Sequence, residues 1–271
     1  MRRIKFIYFI LAITIGFGIG LGVIPNLIVL IGYFSIIAYA LISYINHKHV
    51  RFIALFILAS YFEPYSRTYL AQAPYLLLQY FTISIALYTY FFKDTNTTYR
   101  YAGLFYFGLF FSIELLNSFR FIDLRYTTQI LTQTAAMLSL LYVGSKLRFE
   151  RKDTEYFLEV IFKSSLLLSA IISVVYINGG IQWTEASNFE TSGGMGPVQI
   201  SFYLAMGAFA GLYHSFVTRG IARLIYFSLS SAIIIIMILT FSRGGLYMLG
   251  LMIAVSFLSQ KKVKYIFLVI P

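Results

Sequence analysis

The chain has 271 residues, of which 59% are hydrophobic and only 11% are charged, and its mean hydropathy is +0.80. Soluble domains carry about 25% charged residues, so water is excluded as the solvent for most of this chain. The formal net charge of +11 does not indicate a nucleic-acid partner, because the positive residues fall in short segments between apolar runs, as in the cytoplasmic loops of membrane proteins.

Apolar runs follow the basic N-terminus one after another. A spanning helix needs about 20 apolar residues to cross about 30 Å of hydrocarbon. The first run lacks a small-residue cleavage site and is followed at once by others, so we read it as an uncleaved helix. The predicted spans are roughly 5–24, 27–45, 50–63, 69–92, 101–119, 126–144, 157–177, 198–217, 224–241 and 245–259.

These runs predict an all-α, polytopic transmembrane bundle of about ten spans, forming a single transmembrane domain over 1–271. An eleventh run begins at Tyr265 and stops at Pro271, too short to span. We therefore expect a truncated eleventh helix, with a further C-terminal portion and a large outer loop beyond it. The chain contains no cysteine, which excludes disulfides and thiol chemistry.

The positive side chains predict the orientation. With a cytoplasmic N-terminus, the cytoplasmic segments hold 16 of the 21 Lys and Arg residues. Because cytoplasmic loops are enriched in these residues, we predict that the N-terminus lies in the cytoplasm. Four arginines remain on the predicted outer side and need a reason to be there: Arg67, Arg120, Arg125 and Arg243.

The sharpest feature is the segment Thr240-Phe241-Ser242-Arg243-Gly244-Gly245, at the predicted outer end of a span. The planar fork of donors on Arg243 matches phosphate oxygens bidentately. Gly244 and Gly245 would let a lipid phosphate approach the backbone, and they tolerate a positive φ in a tight turn. The same pattern fits an arginine whose side chain simply extends to the membrane interface.

The longest predicted outer loop, 178–197, carries the second feature. It holds two carboxylates, Glu185 and Glu190, and ends in a glycine cluster that leads into the eighth predicted span at Pro197. Glycines followed by proline at a helix start leave N–H groups facing outward, which favours an anion site. A plain connector between two spans is the alternative interpretation.

Other ionisable residues have structural and functional interpretations. The outer set Glu63, Arg67, Arg120, Asp123 and Arg125 fits an internal ion-pair network or a basic vestibule for an anionic lipid head.

Glu159 and Lys163 are four residues apart and predict a helix ion pair. The three histidines fall near the predicted cytoplasmic side and do not form the cluster that a metal site needs, so no metal is expected.

Two segments resemble the bacterial O-antigen ligase and O-antigen polymerase family. Thr240-Phe241-Ser242-Arg243-Gly244-Gly245 is similar to the T-x-S-R-G signature of that family. The glycine-rich stretch Ser192-Gly193-Gly194-Met195-Gly196-Pro197-Val198-Gln199-Ile200-Ser201 resembles its outer loop, although relatives often carry Pro-Asn where this chain has Pro197-Val198.

The resemblance implies an activity on the outer face of a bacterial inner membrane. Members transfer a glycan from undecaprenyl pyrophosphate to a hydroxyl of a glycan or lipid-core acceptor, as in lipopolysaccharide and exopolysaccharide synthesis, without metal or nucleotide. Arg243 would hold the pyrophosphate. Glu185 or Glu190 would act as the base if the family's late histidine is missing. The other expected substrate contacts are Ser242, Gly244, Gly193, Gly194, Gln199, Arg67, Arg120 and Arg125.

Two other classes of protein remain open from the sequence. A flippase or transporter for a lipid-linked oligosaccharide would use broken helices, and Pro74 could break the fourth predicted span. A non-catalytic membrane scaffold would use the outer arginines only as lipid anchors. Membrane lipids are partners in every case, and no cofactor is expected.

Overall fold

The computed structural model describes residues 2–70, 77–92, 124–147, 149–178 and 191–258. In these ranges the chain forms nine helices and no strand. The helices are α1 (Arg2–Gly20), α2 (Asn26–Ile45), α3 (His49–Tyr69), α4 (Leu77–Phe92), α5 (Leu124–Ser145), α6 (Arg151–Ile177), α7 (Pro197–Val217), α8 (Ile221–Leu239) and α9 (Arg243–Leu258).

Four of these helices, α2, α6, α7 and α8, are long and apolar enough to cross a membrane. The predicted all-helical membrane architecture is thereby confirmed at this level. The predicted span 101–119 and the eleventh run lie outside the described residues. The count of ten spans and the cytoplasmic N-terminus stay predictions.

Three predicted helix boundaries are wrong: the end of the third span and the starts of the fourth and seventh spans. The third span was expected to end at residue 63, but α3 continues through Pro64 to Tyr69. In this turn the hydroxyls of Ser66 and Thr68 donate to the carbonyls of Glu63 and Pro64, at 2.8 and 2.9 Å. Membrane helices tolerate an internal proline, so Pro64 does not end α3. The predicted start of the fourth span at residue 69 is wrong for the same reason.

The start of α6 lies six residues before the predicted 157. A capping box begins the helix, because Glu150 and Asp153 exchange side-chain and backbone hydrogen bonds, one of them 2.9 Å from the Glu150 N–H to Asp153 Oδ2. The charged first two turns of α6 are therefore helical, although they are too polar to be part of an apolar run.

Helix α7 is the centre of the bundle, with α6, α8 and α9 packed around it. Helix α1 packs on α6, α2 on α3, α3 on α6, and α4 on α5. Glycines permit the closest approaches. A Cβ atom on Gly207 would lie 1.8 Å from Ser165 Oγ of α6, and one on Gly211 would lie 2.1 Å from Ser230 Oγ of α8. Small residues serve this purpose in membrane helix packing.

The helix ends gather at two ends of the bundle. We call one of them the glycine-loop end, after the glycine loop Thr191–Gly196 that precedes α7. At this end, contacts between different segments of the chain are made by Gly20, Tyr69, Ser201 and Ser242. The other end holds the segments at 46–48, 146–147, 149–150 and 218–220, with most of the described Lys and Arg residues. This grouping agrees with the alternation that the charge pattern predicts.

Near the opposite end, Lys163 Nζ lies 3.0 Å from Glu159 Oε1, which confirms the predicted helix ion pair. The Lys163 ammonium also lies 4.8 Å from the centre of the Tyr8 ring. These charges are therefore neutralised within the protein.

Candidate functional site

The glycine loop makes a tight turn before α7. Gly193, Gly194 and Gly196 have φ values of 67°, 70° and 92°, a region that other residues rarely adopt. Pro197 then occupies the first turn of α7, where its missing N–H costs nothing. The Tyr69 hydroxyl donates to the Gly193 carbonyl at 2.6 Å, and the Tyr176 hydroxyl donates to the Thr191 carbonyl at 2.9 Å. Helices α3 and α6 thus hold the loop from two sides.

Arg67 lies beside the first turn of α7. Its Nη2 donates a hydrogen bond to Oε1 of Gln199, and the Gln199 amide approaches the Tyr203 hydroxyl at 3.4 Å. Glu63, one helical turn before Arg67, is only 5% exposed and interacts electrostatically with it. The contact between Arg67 and Gln199 joins two of the residues that the sequence analysis predicted to bind substrate. It spans 132 residues of chain.

The turn between α8 and α9 differs from the sequence expectation. Phe241 takes the positive φ of the turn, 53°, whereas Gly244 and Gly245 lie inside α9 and have no positive φ. The expectation that these two glycines form the tight turn is therefore wrong. The Thr240 hydroxyl donates to the Met237 carbonyl at 2.7 Å and closes the end of α8. A phenylalanine at such a position costs about 1–3 kcal/mol, so the surrounding packing must hold it there.

This turn is attached to α7 by direct contact. The hydroxyls of Ser201 and Ser242 are 2.9 Å apart and hydrogen-bonded. A Cβ atom on Gly245 would lie 2.7 Å from both the Cβ and the carbonyl oxygen of Ser201, and one on Gly244 would lie 3.3 Å from the Phe202 ring. Gly245 therefore serves helix packing, which leaves no space for a ligand at its α-carbon.

Arg243 is the first residue of α9, and its side chain is exposed. Among the described residues no carboxylate forms an ion pair with it. Helix N-termini carry partial positive charge, and the first turns of α7 and α9 contain no acidic residue. A cation at a helix N-terminus is unfavourable by about 0.3–1 kcal/mol, so a site that binds an anion would explain this placement.

A cavity of about 330 Å3 lies on the other side of the glycine loop, with apolar walls from Ile19, Ile171, Val174 and Met195; we call it the polar cavity after the hydroxyl and amide groups that also line it. Its polar lining includes Asn26, Tyr65, Tyr69, Asn178 and Gly193. The rings of Tyr65 and Tyr69 lie 4.9 Å apart, and the Tyr65 hydroxyl approaches Oδ1 of Asn26 at 3.4 Å. Uncharged hydroxyl and amide groups beside aromatic rings suit a neutral, hydroxyl-rich ligand.

The structure brings part of the predicted site together. Six predicted substrate or catalytic residues lie at the glycine-loop end, on α3, the glycine loop, α7 and α9: Arg67, Gly193, Gly194, Gln199, Arg243 and Gly244. Ser242 is also there, but its hydroxyl is bonded to Ser201 and its side chain is buried. Glu185, Glu190 and Arg120 lie outside the described residues, and of Arg125 only the backbone, in the first turn of α5, is described.

Sequence reasoning missed Asn26, Tyr65, Tyr69 and Asn178, which line the polar cavity. The Tyr69 hydroxyl and the Gly193 carbonyl that it contacts are 124 residues apart along the chain. No local sequence pattern predicts a contact over such a separation.

Fold and site together define a class: over its described residues the chain is all-helical, four apolar helices are long enough to cross a membrane, and Arg67 and Arg243 lie at the same end of the bundle. Comparisons with protein families, with curated proteins and with solved structures find no match to this chain.

Proposed function

We propose that this chain is a bacterial inner-membrane glycosyltransferase of the O-antigen polymerase or ligase kind. In this proposal it takes a glycan from undecaprenyl pyrophosphate on the outer face and transfers it to a hydroxyl of a glycan or lipid-core acceptor. The N-terminus is cytoplasmic, about ten helices span the membrane, and the glycine-loop end faces outward.

One observation carries the proposal. The exposed Arg243 lies at the same end of the bundle as Arg67 and as the N-termini of α7 and α9, whose first turns contain no acidic residue. The Ser201–Ser242 hydrogen bond, 2.9 Å long, ties the Arg243 turn to the helix that Arg67 contacts through Gln199. Guanidinium groups and helix N-termini are the groups that proteins use to bind phosphate. The ligand that they would bind carries a pyrophosphate and a lipid tail, which suits a site at the end of a membrane bundle.

The reaction places specific demands on such a site. The oxygen of the acceptor hydroxyl attacks the anomeric carbon of the donor glycan, and the bond from that carbon to the pyrophosphate oxygen breaks. The new glycosidic bond takes the glycan, undecaprenyl pyrophosphate leaves with the bonding electron pair, and the hydroxyl proton passes to a base. Negative charge grows on the leaving oxygen, so guanidinium donors fixed beforehand lower the barrier.

In this proposal, each of these requirements of the reaction is met by different residues. Arg243 binds the pyrophosphate directly, while Gln199 and Glu63 fix the position of Arg67 beside it. The glycine loop gives the backbone close access to the phosphate oxygens, and we propose Arg120 and Arg125 as further contacts of the anionic donor. Glu185 or Glu190 takes the proton, which is worth about 10²–10⁴-fold in rate. The polar cavity accommodates acceptor sugar hydroxyls beyond the loop.

Transfer itself is the direct test. The purified chain, reconstituted in liposomes with an undecaprenyl-pyrophosphate-linked oligosaccharide and an acceptor glycan, is expected to give an elongated glycan and free undecaprenyl pyrophosphate. Product analysis by mass spectrometry after chromatography measures both. Movement of the intact lipid-linked donor across the bilayer without a new glycan would identify a flippase and contradict the proposal.

The orientation of the chain in the membrane can be tested separately by cysteine labelling. Because the chain contains no cysteine, an introduced cysteine is its only reactive thiol. In intact cells, a membrane-impermeant maleimide is expected to label Arg243→Cys. The matched variant Arg223→Cys, exposed at the opposite end, should be labelled only after the inner membrane is opened. The reverse pattern would put the cationic site in the cytosol, away from the donor, and the proposal would fail.

A further inference from the structure

A second cavity lies at the opposite end of the bundle, between α1, α7 and α8. Its volume is about 510 Å3, and it is lined by Phe6 and Phe9 of α1, His214 of α7, Thr218 and Arg219 of the following turn, and Tyr226 of α8. It is far along the helices from the glycine loop. None of these residues takes part in the proposed glycan transfer.

An apolar groove of about 340 Å3 continues from this cavity along the outside of the bundle. The two share Phe6, Phe9 and Ile225. The groove then follows α1 as far as Ile13 and α8 as far as Leu229. Both helices run inward from the same end, so the groove leads from the helix ends toward the middle of the membrane. The seven residue-to-residue steps from Phe6 to Ile13 give it a length of about 10 Å, at about 1.5 Å per residue.

Closely packed aromatic rings form the inner wall of the cavity. The His214 and Tyr226 rings are stacked with their centres 5.1 Å apart. Phe9 packs edge-on against both Tyr226 and Phe162, at 5.3 and 5.4 Å. All four of these side chains are buried. A space bounded by such packed rings keeps its shape, so it does not need a ligand to form it.

The mouth of the cavity is positively charged. Arg219 is exposed, and among the described residues no carboxylate pairs with it. The first turn of α8 has no acidic residue, so its partial positive charge adds to that of Arg219. Glu159 interacts electrostatically with Tyr226 of the cavity lining, and its charge is compensated by Lys163, whose Nζ lies 3.0 Å from Glu159 Oε1.

We infer that this cavity and groove bind one anionic phospholipid. Its phosphate lies at Arg219 and the N-terminus of α8, and one acyl chain lies in the groove between α1 and α8. Charge complementarity selects the anionic headgroup, because basic pockets between helices on the cytoplasmic side of membrane proteins bind such lipids. The apolar groove requires the acyl chain, which a free phosphate lacks. This inference is independent of the proposed glycan transfer.

Native mass spectrometry of the full chain in detergent tests it with two lipids that differ in headgroup charge. We expect dioleoylphosphatidylglycerol to bind about fivefold more tightly than dioleoylphosphatidylcholine. Arg219→Gln should remove this preference. Arg223→Gln, an exposed arginine on the next turn that does not line the cavity, should keep it. Millimolar inorganic phosphate should not displace the lipid.

The groove is tested by filling it. Ser228→Phe places a ring in the groove and should weaken binding of both lipids, whereas Ser231→Phe, outside the groove lining, should not. If Arg219→Gln and Arg223→Gln reduced the preference for dioleoylphosphatidylglycerol equally, the lipid would be held only by general attraction to a positive surface, and the inference would fail. Unchanged binding in a folded Ser228→Phe protein, or displacement by inorganic phosphate, would equally overturn the inference.

Discussion

Arg243→Lys is expected to reduce glycan transfer by at least about 100-fold while leaving the protein folded. Lysine keeps the positive charge but offers a point charge in place of the planar fork, so it cannot make two parallel hydrogen bonds to a pyrophosphate. Loss of one donor that stabilises a developing oxyanion typically costs about 10²–10³ in rate. The exposed Arg243 has no ion pair among the described residues, so folding does not depend on it.

The measurement is the liposome transfer assay, with thermal unfolding in detergent as the check on folding. Arg223→Lys makes the same chemical change at the opposite end and should transfer glycan at the wild-type rate. A fully active Arg243→Lys protein would show that charge alone suffices, and the bidentate role of Arg243 would be withdrawn.

Gly245→Ala is expected to lower the free energy of unfolding by about 1–3 kcal/mol and to impair transfer as well. The new methyl group would lie 2.7 Å from the Cβ and the carbonyl oxygen of Ser201, and a backbone atom cannot rotate away. Helices α7 and α9 must therefore separate. The Ser201–Ser242 hydrogen bond would lengthen, and Arg243, two residues earlier on the same turn, would move with the helix.

Gly250→Ala on the same helix is the matched control. A Cβ atom there meets no other atom within 4 Å, so alanine should be neutral or stabilise α9 by up to about 1 kcal/mol, its advantage over glycine in a helix. Denaturant unfolding followed by circular dichroism compares the two variants. If both behave alike, the contact between α7 and α9 is looser than described.

These two substitutions separate chemistry from positioning. Arg243→Lys changes the group that meets the ligand and leaves the packing intact, so its effect should fall on rate alone. Gly245→Ala changes no group that meets the ligand, so its effect on rate should follow the displacement of α9. Loss of activity in both, with stability lost only in the second, is the combination that the site predicts.

Properties that depend on near neighbours were predictable from the sequence. Long apolar runs become helices because lipid offers no partner for backbone N–H and C=O groups, and a helix satisfies them within one segment. The Glu159–Lys163 pair followed from its spacing of four residues, and it is present at 3.0 Å. The predicted start of α7 at residue 198 is one residue from the observed Pro197.

Tertiary structure alone decided the contacts that make the site. Arg67 meets Gln199 across 132 residues, and Ser201 meets Ser242 across 41, because α3 and α9 happen to border the first turn of α7. The sequence assigned Gly244 and Gly245 to a turn, but packing against α7 makes them helical and shifts the positive φ to Phe241. Hydrophobic periodicity and charge counts predict only contacts between residues that are close along the chain. Which helices touch, and at what depth, depends on how all their surfaces fit together.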